Sequence, residues 1–323
     1  MENNLLYSDH YDFRDVPGSD SWIKLTEIAD GDSPDRKYYV KNCEHQRFLL
    51  HVADCSQYDR KKNEFYYLSK VHEAGAPVPE PVNFGFCNQG SALYLQTRWI
   101  YGRPGTRELQ SLEKHKQYSL GVDAGLCLKK VHHCRIPPRP NNWKSLQTDR
   151  INRMKSRLDP GWTRCAQLRR VLELIDAGQE FLAGRPQQLL HGGFHTDNLI
   201  LSYENSLSMI DFENWQYGDP LADLATVLTQ IRHISLPCAI GILDCYFTFR
   251  INDQELQMLR FYGALDLMEQ LAGTDWRQNP EAEGNKLQVF LKDYQSFRSI
   301  CPVWYKRMHK ADIMLSGQRP SGA

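Results

Sequence analysis

No stretch of this chain approaches the run of about 18 apolar residues that a membrane-spanning helix needs. Neither sign of charge is in excess either: Lys plus Arg number 39, and so do Asp plus Glu. That balance argues against wholesale binding to nucleic acid or to a membrane surface. The opening residues, MENNLLYSDHYDFRDV, lack a basic stretch followed by an apolar run, so no secretory signal is expected there. Paired CxxC motifs and regular cysteine spacings are missing, although there are nine cysteines. An odd, scattered set reads as reduced thiols of a cytoplasmic protein, mostly filling core. The densest Cys/His segment, Cys127 to Cys134, has no second ligand pair nearby, which argues against a metal site. No internal repeat is visible.

What is present divides in two. The first hundred residues read mainly as strands. RKYYVKN and RFLLHVAD are apolar, β-rich runs joined by CEHQ, the pattern of a hairpin. A turn-forming stretch, Ala29 to Arg36, leads into them. DRKKNEFYYLSKVHEAG reads as a helix closed by Gly75. The proline-rich APVPEPVNFGF is expected as an extended connector, and ALYLQTRWI as another strand before YGRPG breaks the chain. Helical patterns follow. Tyr118, Val122 and Leu126 suggest one buried stripe, and Leu168, Val171, Leu172 and Ile175 a second. RIPPRPNNWKS and GTDWRQNPEAEGN are expected as loops. One short β island, holding NLIL and LSMIDF, sits between the long helical regions.

That island carries the chemistry. In LLHGGFHTDNLIL, His191, Gly193 and Asn198 take the spacings of a phosphoryl-transfer loop, where His, Asp and Asn follow one another. In SMIDFENWQYGDPLADLA, Asp211 ends the second strand of a hairpin. An amide and a carboxylate on adjacent strand ends can converge on one hard cation of the magnesium type.

On these segments, together with LKKVHH and PVPEPVNFG, the chain resembles the aminoglycoside phosphotransferase family, a kinase-like group that also includes choline and other small-molecule kinases. The resemblance covers roughly residues 20 to 290. It implies an α+β, bilobal, protein-kinase-like fold, with a β-rich N-lobe over 1–100 and a mostly helical C-lobe over 101–315. Residues 316–323 are expected as a disordered tail. It implies ATP in the cleft between lobes, magnesium on Asn198 and Asp211, and His191 bracing the catalytic loop. The backbone of Thr97, Arg98 and Trp99 would meet adenine, Glu64 would face the phosphate-binding strand, and the turn at Gly31, Asp32 and Ser33 would cover the phosphates. The acceptor would be a hydroxyl on a small polar molecule, with aminoglycosides and other amines among the options.

Two positions depart from the family's pattern. Its catalytic aspartate falls on Gly193, and its phosphate-binding lysine falls about on His51, an imidazole that is shorter and only partly charged near neutrality. Asp197 is the alternative acid of the loop. The departures leave two readings open: a small-molecule kinase, and an impaired relative that binds nucleotide without efficient turnover. Asp219 and Asp223 read as an N-cap and a first-turn charge. His132 and His133 read as packing or solvent-facing groups, and Glu213, Asp266 and Glu269 as helix-face acids or an acidic pocket for an amine.

Overall fold

The computed structural model describes residues 11–29, 34–137, 141–158, 165–204, 206–274 and 280–307. The turn at Gly31–Ser33 and the tail 316–323 lie outside the described residues.

Alternation builds the first lobe. Strands β1 (Trp22–Ile28), β2 (Arg36–Asn42) and β3 (Arg47–Asp54) form a meander. After helix α1 (Tyr58–Glu73) come β4 (Pro81–Cys87) and β5 (Ala92–Arg98), giving the antiparallel order β1-β2-β3-β5-β4. On β2 and β3 the even-numbered Tyr38, Val40, Phe48, Leu50 and Val52 are buried with Phe13, Val16 and Trp22 on one face. A strand has a two-residue side-chain period, so Lys37, Tyr39 and His51 point to the other face, toward α1 and the second lobe. The connector expected as merely extended is in part β4, an edge strand that begins at Pro81, where a missing N–H is tolerated. Strand β1, with its polar exposed positions, carries little hydrophobic signal and is a further addition to the expected strands.

Helix α1 belongs to both lobes. Its Tyr67, Leu68 and Val71 join the large core of the second lobe, as do Ala76 and Val78. The chain crosses over between the end of β5 and β6 (Arg103–Pro104), and β6 pairs at once with β8 (Leu199–Leu201). Between them lie the one-turn α2 (Gly105–Glu108), α3 (Lys114–His132), α4 (Trp143–Arg157), α5 (Ala166–Gly178) and β7 (Gln188–Leu190). Strand β9 (Leu207–Met209) pairs with β8, and β10 (Gln216–Gly218) with β7. The rest is helical: α6 (Arg232–Ile234), α7 (Leu236–Tyr246), α8 (Asp253–Gly273), α9 (Pro280–Asp293) and α10 (Val303–Arg307).

Several helical expectations need correction. Leu126 is 48% exposed, so the expected α3 stripe is wrong at its end. Leu126 lies roughly 200° round the helix from both Ala124 and Leu128, and the buried face runs through Leu120, Ala124, Leu128 and Val131. Trp143–Ser145 starts α4 rather than ending a loop, with the Asn142 side chain accepting from the Ser145 N–H as its cap. The second half of the expected loop at 273–285 is the first turns of α9. The stripe on α5 is as expected, with Leu168, Val171 and Ile175 buried. Among the described residues, no helix is long and apolar enough to cross a membrane, and the nine cysteines are free thiols.

Helices α3 and α7 touch backbone to backbone. A Cβ on Gly121 would lie 2.1 Å from the Cys238 carbonyl oxygen. Gly121→Leu should therefore cost at least about 1–3 kcal/mol by overpacking, read as a lower urea midpoint at unchanged slope. A neutral result would show that the two helices separate easily.

Candidate active site

The loop after β7 is held from behind by one carboxylate. Asp223 is buried, and it accepts the N–H of His191 at 2.7 Å and of Gly192 at 2.9 Å. His132, at the end of α3, meets the same carboxylate at 3.0 Å through Nε2, and its Nδ1 lies 2.7 Å from the Tyr246 hydroxyl. Burial pushes the Asp223 carboxyl up, but His132, His191 and the Gly192 N–H outweigh it and hold it below the usual range. Asp223 is thus more than a first-turn charge, and His132 is its side-chain partner at 3.0 Å rather than packing filler. Asp219 is the expected cap, accepting from Leu221 N, and it is further bonded by Arg185 and the Tyr262 hydroxyl.

His191 is fully buried. Gly193 N–H donates to its Nδ1 at 3.1 Å, which makes Nδ1 the acceptor and directs Nε2–H to the Ile210 carbonyl at 3.0 Å. Burial lowers its pKa, in keeping with that neutral tautomer. The ring therefore ties the loop to the strand end that presents Asp211. Gly192 has φ +77°, and a Cβ there would meet the Asn214 carbonyl oxygen at 1.9 Å, so only glycine fits the turn. Gly193 is different: its φ is not positive, and a Cβ would lie 3.2 Å from Asn198 Nδ2, a contact that a small shift of the amide relieves.

Asn198 and Asp211 stand side by side. Ile210 N–H donates to the Asn198 carbonyl at 2.9 Å, joining the two segments just before Asp211. The Asn198 Nδ2 donates to the Gly193 carbonyl at 2.9 Å and lies 3.2 Å from His195 Nε2, which leaves its Oδ1 as the end able to meet a cation. Asp211 has φ +68°, and its Oδ2 pairs with Lys37 Nζ at 3.1 Å across the cleft. Burial raises the Asp211 carboxyl, yet Lys37, His51 and the Glu213 N–H together hold it below the usual range. Asp197 projects outward at 63% side-chain exposure and accepts from the Thr106 hydroxyl at 2.6 Å.

The first lobe supplies a charge cluster. His51 faces inward, with Nδ1 3.8 Å from Asp35. Lys61 bonds Glu64 at 2.8 Å and also pairs with Asp35; all three side chains are buried. Desolvation lowers and the two carboxylates raise the Lys61 pKa, with a net rise, while burial pushes Glu64 up. Glu64 is buried and takes its cation, Lys61, from its own helix. Ligand atoms of Asp35, His51 and Glu213 all lie within 4.8 Å of one another, with Lys61 already on Asp35. Arg60 NH2 donates to the Glu213 carbonyl at 2.7 Å, so α1 also grips the segment after Asp211.

Lys37, Asp35 and Lys61 were not among the residues singled out from sequence. A signal existed for two of them. The hairpin register pairs Lys37 with His51, and Lys61 lies three residues before Glu64 on one helix face. Of the segment Thr97–Trp99, Thr97 and Arg98 end β5 within the first lobe, and Trp99 sits edge-on to Tyr39 at 5.1 Å. The segment's amides are engaged within the first lobe, Arg98 N to the Glu80 carbonyl and Trp99 N to the Arg47 carbonyl. An acidic pocket at Asp266 and Glu269 is not supported: Glu269 is paired with Arg150, and Asp266 accepts from Thr229 and Gln270.

Residues 24–262 match the model of the phosphotransferase enzyme family. No curated protein matches the sequence. Among solved structures, a thermostable mutant of aminoglycoside phosphotransferase APH(4)-Ia in its apo form is similar, with a TM-score of 0.63 at 16% identity over 87% of this chain and 97% of that one. Amicoumacin kinase hAmiN, solved with AMP-PNP, calcium and Ami, gives 0.59 at 15% identity over 93% and 92%. Spectinomycin phosphotransferase APH(9)-Ia, solved with ADP and spectinomycin, gives 0.56 at 12% over 90% and 92%. At such identities the likeness carries the fold, and the two-lobed kinase-like architecture is the one expected.

Removing the brace tests the site's construction. Asp223→Ala would strand the buried N–H of His191, the part-buried N–H of Gly192 and an imidazole, so unfolding free energy should fall by about 3–5 kcal/mol. A loss under about 1 kcal/mol in urea unfolding would show that the loop is held by other means.

Proposed function

This chain belongs to the phosphotransferase enzyme family, and on that premise we propose that it transfers the γ-phosphoryl group of ATP, with magnesium, to a hydroxyl of a small polar molecule. The observation that carries the reading is the junction of two strand ends by the Ile210–Asn198 backbone bond. It supports a site in which the Asn198 amide oxygen and the Asp211 carboxylate, held below the usual carboxylate range, share one cation. These are hard oxygen donors of the kind magnesium takes. The nucleotides bound in the structures of the amicoumacin and spectinomycin kinases support ATP as the donor.

Asn198 and Asp211 would hold the metal, which would offset the charge that develops on the transferred group. His191 and Asp223 keep both ligands in register without touching the reactants. The connector at Thr97–Trp99 would wall the adenine side, offering ring surface from Trp99 and carbonyls in place of the two engaged amides. In the transfer, the bond from the acceptor oxygen to phosphorus forms as the bond to the β,γ-bridging oxygen breaks, and ADP departs. At Gly193 the loop has no carboxylate to take the acceptor's proton, and Asp197 is directed to Thr106. The proton would therefore pass to water. The acceptor is a small hydroxyl compound, an aminoglycoside being one option by analogy with the neighbours.

Gly193 also favours a second reading, in which the chain binds nucleotide without efficient turnover. Two experiments separate the readings. ATP should raise the melting temperature only with magnesium present, by mass action on the folded state, and Asp211→Ala should abolish that shift. A shift of equal size without metal would remove the site from this reading. General-base assistance contributes about 10²–10⁴-fold, so Gly193→Asp should raise turnover at least about tenfold with little change in ATP affinity. If neither the parent chain nor Gly193→Asp phosphorylates any member of a broad amine and sugar panel, the binding-only reading holds.

A further inference from the structure

The family's pattern puts the phosphate-binding cation on β3, where this chain has His51. That imidazole is buried, and its Nδ1 is directed at Asp35. Lys61, the nearest ammonium on α1, is buried between Asp35 and Glu64. Neither group is placed to follow a ligand. Lys37 is: it lies opposite His51 in the β2–β3 register, on the inward face of the sheet. Its side chain keeps 14% exposure and spans the cleft to Asp211, 174 positions away in sequence.

We infer that Lys37 is the cation that binds the nucleotide's phosphates, exchanging its partner Asp211 for them. The inference depends on the nucleotide reading above. An ammonium beside the Asp211 oxygen stands in for a metal ion by charge. A divalent cation on the same carboxylate repels it, so metal alone binds against Lys37. A phosphate offers the displaced ammonium a new partner, and the four-carbon stem lets it turn there without moving the strand. Metal and nucleotide then assist one another, and linkage makes that assistance mutual. A lysine that merely ties the two lobes together would give no such exchange.

The two halves of the inference predict effects of opposite sign for one substitution. With Lys37→Met, manganese titrated alone by calorimetry should bind roughly two- to fivefold more tightly, since a part-exposed pair no longer competes. The same variant should bind manganese-ADP about ten- to a hundredfold more weakly, the worth of a charged hydrogen bond. Lys37→Arg should keep nucleotide affinity close to that of the parent chain, because it keeps the charge. Tighter metal binding by Lys37→Met also reports that the variant is folded. Equal manganese-ADP affinity in the parent and Lys37→Met would overturn the role of Lys37 and leave the nucleotide reading standing. Failure of the parent chain to bind manganese-ADP would overturn both.

Discussion

A buried carboxylate in this fold has to collect donors or neutralise, and the catalytic segment is shaped by how Asp223 does so. Its oxygens take two consecutive main-chain N–H groups and one imidazole. The N–H groups belong to the loop that begins at His191, so meeting the charge fixes the loop's first turn. The imidazole belongs to the end of α3, whose position follows from its glycine-lined crossing with α7. Core packing thereby helps set the place of the loop, whose Phe194 is itself part of the core. His191 carries the constraint forward, since its two ring nitrogens join Gly193 to the carbonyl preceding Asp211.

A second set of charges joins the lobes. Lys37 reaches Asp211, Arg60 reaches the Glu213 backbone, and Tyr67 meets Trp215 with ring centroids 4.6 Å apart. Helix α1 is therefore attached on both sides, through the sheet and through the segment after Asp211. In the usual kinase arrangement a strand lysine pairs with a helix acid. Here that pair is split between elements. Glu64 finds its ammonium one turn away on its own helix, and the cation facing Asp211 comes from β2. Lys37, the register partner of His51, carries the charge that meets Asp211.

Much of this was legible in the chain. The hairpin around CEHQ, the helix ending before Gly75 and the strand up to Arg98 stand where residue patterns put them, because each is settled by contacts close in sequence. The spacing of His191, Gly193 and Asn198 was legible for the same reason. Expectations failed where a helix face or a charge depends on a distant partner. Leu126 has the right residue type for the buried stripe and the wrong angle. Glu269 resembles an open acid until Arg150 comes from another helix to neutralise it.

The sequence by itself determined the two-lobed order of elements, the motif that carries Asn198 and Asp211, and the glycine at 193, since these rest on identity and local spacing. Only the tertiary structure decided which charges meet. Lys37 is 174 positions from Asp211, and Asp223 is 91 from His132. Partners so far apart are matched by packing that brings the strands and helices together. No window along the chain can show that Asp223 is a brace or that the cleft's cation comes from β2. Such assignments follow from the need to satisfy each buried charge with whatever donor the fold delivers beside it.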